Sequence, residues 1–177
     1  MNERLKSLYL LELKNQCAFA LIAYDSVSLS LYKLNNNTDM RKTGDVMNCL
    51  WYHIQSFLIS TANISKILWP INDTHKRGES LRNYLGISVQ SPLESRTFRN
   101  HFEHFDERLS TWFTAYPHKN FIDMNVGQAG TFIGNIDKSD YIRHYDPVAQ
   151  RLIFRGEEYD INIIVEAVRD LTKKLTV

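Results

Sequence analysis

The sequence predicts a mainly α-helical chain, a bundle of four to five helices with a small antiparallel β-meander toward its C-terminus. Three observations carry that prediction. Before position 117 the only Gly and Pro residues are Gly44, Pro70, Gly78, Gly86 and Pro92, and they fall between long segments whose apolar residues recur at helical spacing. Beyond Pro117 the pattern shortens to runs of four or five residues separated by turn dipeptides. Helical spacing then returns for the final segment.

The first helix is predicted over about 2–34 and ends at Asn35, Asn36 and Asn37; around Phe19 to Tyr24 it is apolar on more than one face, as a central bundle helix is. The second runs from about Asp45 to Trp69. It places Met47, Leu50, Trp51, Ile54, Phe57, Leu58, Thr61, Ile64 and Leu68 on one stripe, and Pro70 closes it. A short helix from Glu79 to Leu85 stops at Gly86, which suits a left-handed C-terminal cap. Ser91-Pro92-Leu93-Glu94 has the order of an N-cap serine, a first-turn proline and a capping-box glutamate, so a fourth helix is expected from Ser91 to Tyr116. Gly127, Gly130 and Gly134 mark loop. Tyr141 to Tyr145, Arg151 to Phe154 and Glu158 to Ile161 then read as strands of a meander within about 130–161, turning at Asp146-Pro147 and Arg155-Gly156. The last helix spans about 162–175.

At 177 residues the chain has the length of one domain, so 1–177 is read as a single helical domain. Lys and Arg number 21 and Asp and Glu 20, for a net charge of +1, and no global field holds the chain on a polyanion or an anionic membrane. Hydrophobic residues make up 44%, which excludes natively unfolded and low-complexity classes. The two cysteines, Cys17 and Cys49, lie in no metal-binding spacing and are expected to be inert, buried and reduced. The run from Cys17 to Tyr24 is short for a membrane helix, and no secretion signal is evident, so a cytoplasmic protein without membrane contact is expected.

The expected fourth helix carries the chemistry. With about 100° per residue and Arg99 at zero, Phe98, Phe102, Phe105, Leu109, Trp112, Phe113 and Tyr116 share one arc, between about 220° and 320°. Arg96, Asn100, Glu103, His104 and Glu107 occupy the opposite face, and Asn100 and His104 are neighbours one turn apart. His101 borders the core arc and reads as a packing residue. A metal site built on His101 and His104 with Glu107, or with a His from another helix such as His53, is disfavoured because no HExxH or paired ExxH accompanies them.

Arg99-Asn100-His101-Phe102-Glu103-His104, an Arg and a polar residue followed after three residues by His on a bundle helix, resembles the HEPN superfamily (higher eukaryotes and prokaryotes nucleotide-binding), whose ribonuclease members carry Arg-polar-x(3 to 5)-His. The resemblance covers those six positions and the layout of long helices. It implies a metal-independent endoribonuclease, in a toxin-antitoxin or defence setting, with Arg99, Asn100 and His104 as catalytic residues. His104 would act as general acid and base, Arg99 would stabilise the scissile phosphate, and Asn100 would orient them. Arg96 and Arg108 would bind substrate. No metal and no cofactor are implied, and the partners are RNA, a second copy through the polar face of this helix, and an antitoxin or nucleotidyltransferase. Glu103 and Glu107 on the same face depart from what phosphate binding needs. The alternative is a non-catalytic helical-bundle module that binds RNA or protein. The two differ in surface: a catalytic site sits in a concave cleft, whereas a structural face is open.

Overall fold

In the computed structural model the described residues are 2–36, 39–73, 76–115, 120–128 and 138–176, with the side chains of 40, 41 and 138 excepted. They form six α-helices and a four-stranded sheet: α1 (Glu3–Asn36), α2 (Met40–Leu68), α3 (Arg77–Leu85), α4 (Thr97–Glu103), α5 (Phe105–Ala115), β1 (Asn125–Val126), β2 (Arg143–Asp146), β3 (Arg151–Phe154), β4 (Glu157–Asp160) and α6 (Ile161–Lys174). The chain divides into two compact units, Met1–Arg96 with Ile163–Val177, and Thr97–Asn162.

The first unit is a helical bundle. α1 and α2 run antiparallel, since Gln16 pairs with Asn63 while Tyr24 meets Phe57. The α2 stripe is the core: Leu50, Trp51, Ile54, Phe57, Leu58, Thr61, Ile64 and Leu68 are all buried, and Met47 is half-buried. Each fully buried large apolar side chain contributes about 1.5–3 kcal/mol. From α1 come Leu13, Cys17, Ala20, Ala23 and Val27, and from α6 Val165, Val168 and Leu171. Cys17 is buried as expected, and burial pushes its thiol up to about 11 despite a hydrogen bond with Thr172. Cys49 is exposed instead, because it lies on the side of α2 opposite the stripe. α3 ends as its sequence indicates: Gly86 adopts φ 58°, ψ 42°, and the cap closes on the carbonyls of Arg82 and Asn83.

Ser91-Pro92-Leu93-Glu94 does not start a helix. The Glu94 N–H donates to the Ser91 carbonyl at 3.0 Å and the Leu93 N–H to Ser91 Oγ at 3.3 Å, forming a turn that buries Leu93. A proline at the second position serves such a turn as well as it serves a helix start, and the helix begins only at Thr97.

In the second unit α4 and α5 divide at His104, although the Asn100 carbonyl still accepts from His104 N–H and the His104 carbonyl from Arg108 N–H, each at 3.0 Å. The sheet order is β1-β2-β3-β4. β2, β3 and β4 are the expected meander, with Arg143 opposite Phe154 and Arg151 opposite Asp160. Arg155 and Gly156, with φ 53° and 87°, make the two-residue turn between β3 and β4. β1 adds a short parallel edge, pairing Asn125 with His144. Gly130, Gly134, Tyr116 and Pro117 lie outside the described residues.

Candidate functional site

The motif residues are spread along α4, its junction with α5, and the chain before it. Arg96 precedes α4 and is half-buried. Arg99, on the first turns of α4, is only 13% exposed, and its guanidinium is paired with the Glu103 carboxylate one turn on. Asn100 is exposed. His104, at the junction, keeps 54% of its side chain exposed and points Nδ1 toward Glu107 Oε2 at 3.7 Å. Arg108 is exposed on α5, and its carbonyl accepts from Arg155 Nη1 at 3.1 Å. Asn100 and His104 therefore share an accessible surface, while Arg99 and His104 each face a glutamate.

A pocket of about 200 Å³ lies in the first unit, lined by Ile87, Pro92, Leu93, Leu171 and Lys174 among others, and none of the motif residues borders it. It is smaller than the roughly 300 Å³ at which ligand sites begin. Among the described residues no three His, Cys, Asp or Glu side chains gather closely enough to hold a metal ion.

The buried arc of α4 and α5 is rotated from the one expected. Phe98 and Trp112 are buried and Phe102, Phe105 and Leu109 half-buried, but Phe113, at the far edge of the predicted arc, is exposed, and His101 on the other edge is buried. The buried arc therefore centres about 20° away. Trp112 Nε1 donates to the Ser139 carbonyl at 3.1 Å.

His101 is the centre of a cluster that helix periodicity does not reveal. Its ring stacks on Phe154 at 4.6 Å and 13°, and Nε2 lies 3.2 Å from Glu157 Oε2 and 3.3 Å from the Tyr159 hydroxyl. Tyr159 donates to the same carboxylate oxygen at 2.7 Å. Burial lowers the His101 pKa, against the opposing pull of Glu157. The hydrogen bond from Tyr159 holds the Glu157 carboxyl below its usual range, and burial followed by Glu157 raises the phenol. Near neutrality the arrangement is thus a neutral imidazole donating through Nε2–H to a carboxylate, with Nδ1 buried and without a hydrogen-bond partner among the described residues. Such a cluster pins α4 to β4. A usable sequence signal exists: Glu157 and Tyr159 are two apart on a strand and so face the same way.

The other surface of note is on α1. Leu5, Leu8, Leu11, Phe19, Ile22, Leu29 and Tyr32 are between 44 and 66% exposed. On a helical wheel all but Leu5 fall on the side opposite Leu13, Cys17, Ala20 and Val27. α1 is thus apolar on both sides, as expected of a central helix, yet among the described residues only one side is covered. By length and composition it is also apolar enough to cross a membrane, but part of that hydropathy belongs to side chains packed in its own core.

No family model, curated protein or solved structure matches this chain. Its functional reading therefore rests on its own residues.

Proposed function

We propose that this chain is a non-catalytic helical module that works by associating with protein through the outer face of α1. The observation that carries this is the row of six large, exposed apolar side chains, Leu8, Leu11, Phe19, Ile22, Leu29 and Tyr32, along one side of a 34-residue helix. With roughly 200 Å² as the full surface of a large apolar side chain, they leave about 700 Å² uncovered, more than the 300–600 Å² patch of an ordinary monomer. A net charge of +1 favours a protein partner over RNA, whose binding is dominated by phosphate neutralisation. The open face around His104, and the glutamates beside Arg99 and His104, agree with a module without turnover.

The test is a pair of measurements. Ile22→Glu with Leu29→Glu should leave the melting temperature nearly unchanged, since neither side chain belongs to the core, while abolishing the complexes that native mass spectrometry detects for the wild type. Metal-free incubation of the wild type with single-stranded RNA should give no cleavage above buffer. Complexes that survive both charges would overturn the reading.

A second reading, the HEPN-like endoribonuclease with Arg99, Asn100 and His104 as catalytic residues and Arg96 and Arg108 as RNA contacts, is favoured by one observation. Asn100 and His104 are both exposed and joined through one backbone hydrogen bond, so an RNA strand has access to them. In that reading phosphate displaces Glu103 from Arg99, and an antitoxin or nucleotidyltransferase is the regulating partner in the cytoplasm. Metal-free cleavage that vanishes in His104→Ala would select it.

A further inference from the structure

The apolar side chains of α1 are not evenly spread. They form three clusters, Leu8 with Leu11, Phe19 with Ile22, and Leu29 with Tyr32, separated by the polar positions Asn15 and Asp25. The two outer clusters are arranged symmetrically about the level of Ala20, and the middle one straddles it. In an antiparallel pair of α1 helices centred there, Leu11 meets Leu29, Leu8 meets Tyr32, and Ala18 meets Ile22. The polar positions then coincide as well: Asn15 reaches Asp25, whose carboxylate accepts from the amide. Arg4 at one end meets Asn36 at the other. A parallel pair in register would instead set Asp25 against Asp25 and Arg4 against Arg4, like charges facing each other at close range.

We propose that the outer face of α1 is a self-association surface on which a second copy of this chain docks antiparallel, about a two-fold axis level with Ala20. This rests on the reading of α1 as an association face and commits it to one occupant. Two further arguments favour a second copy. The uncovered apolar area, roughly 700 Å² per chain, lies within the roughly 600–1,000 Å² that each partner gives to a standard stable interface. An isologous contact also requires a surface complementary to itself, and the near-palindromic order of apolar and polar positions meets that requirement. The pairing of Asn15 with Asp25 fixes the register, since a slip by one helical turn sets Asp25 against Leu11 or Phe19.

Cysteine cross-linking tests both the partner and the register. In a Cys49→Ser background Cys17 remains, buried and with its thiol pushed up to about 11, so it does not compete. Leu11→Cys with Leu29→Cys, treated with oxidised glutathione, should give a covalent dimer on a non-reducing gel, and Ala18→Cys with Ile22→Cys should do the same. Leu11→Cys alone should give at least tenfold less. A dimer from Leu11→Cys alone as strong as from the pair would overturn the antiparallel register. If neither pair cross-links and a maleimide labels position 22 at the rate of an unstructured peptide, the face is open and unpaired: the self-association is then wrong while the association reading stands. If neither pair cross-links and position 22 is protected in the monomer, both fail. Co-flotation of the wild type with anionic phosphatidylserine vesicles, lost in Ile22→Glu, would overturn the proposal in favour of a lipid surface.

Discussion

Gly78→Ala and Gly44→Ala should change stability in opposite directions, although helix propensity treats them alike. Both glycines are helical, and replacing glycine by alanine in a helix interior is worth about 1 kcal/mol in favour of alanine. Gly44, on α2, has open space where the methyl would go, so it should show that gain. Gly78 lies in the first turn of α3, where its N–H donates to the Asp73 carboxylate at 3.0 and 3.2 Å. A methyl there would sit 2.5 Å from the Leu68 carbonyl oxygen, 2.5 Å from Pro70 Cδ and 3.1 Å from Arg82 Nη1. The first two are backbone and ring atoms, which cannot rotate aside. Overpacking of this kind costs about 1–3 kcal/mol. Displacing Arg82 from the Leu68 carbonyl adds the loss of a charge-assisted bond worth about 1.5–3 kcal/mol. Against the propensity gain of about 1 kcal/mol, a net loss of about 3 kcal/mol follows, and at about 2–4 °C per kcal/mol for a chain of this size the midpoint should fall by about 6–12 °C. Thermal melts followed by far-UV circular dichroism measure it. A Gly78→Ala midpoint equal to or above the wild type would refute the argument that close backbone approach, rather than propensity, dictates that residue.

Three other outcomes follow from the second unit. His101 and His144 are both buried, and burial lowers both pKa values, with Glu157 and Asp146 respectively pulling the other way and Arg108 and Arg155 adding to the lowering at His101. Below the ordinary value of about 6.5 the unfolded chain therefore binds more protons than the native one, so stability should fall from pH 7 toward pH 5, with a slope of at most about 1.4 kcal/mol per pH unit from each ring. Melts across that range should show the fall in the wild type and a shallower one in His101→Gln; a flat or inverted profile would contradict the burial argument. Asp123→Asn should cost about 1–3 kcal/mol in urea titration, because the Arg143 guanidinium, 15% exposed and seated on the Phe105 ring at 4.6 Å, loses its bidentate carboxylate. His104→Ala should change stability by no more than about 0.5 kcal/mol, as an exposed side chain outside the core; a large loss would show that the junction of α4 and α5 depends on the imidazole.

Much of the helical architecture was legible because local chemistry decided it. The α2 stripe, the Gly86 cap and the Arg155-Gly156 turn each follow from a period or a backbone preference that no distant residue overrides. The exceptions have physical reasons. Ser91-Pro92 satisfies the rules of a helix start and of a turn, and the choice depends on burying Leu93. β1 is two residues long and gains its identity only by pairing with β2, so no alternation announces it. The His101 cluster joins residues more than fifty positions apart, beyond the reach of any helical wheel. For α1 the pattern shows apolar residues all round, but not that among the described residues only one side is covered. Of the motif, the sequence indicates that Asn100 and His104 lie near each other on an outward face; it does not reveal that Glu103 holds the Arg99 guanidinium.

Sedimentation equilibrium of the wild type beside Ile22→Glu tests the central claim most directly. The prediction is a wild-type mass twice the 20.7 kDa of one chain, independent of salt because the contact is apolar, and a single-chain mass for the variant at the same concentrations with an unchanged circular dichroism spectrum. A wild type that stays at single-chain mass up to millimolar concentration, or a variant that dimerises as the wild type does, would contradict self-association through the outer face of α1.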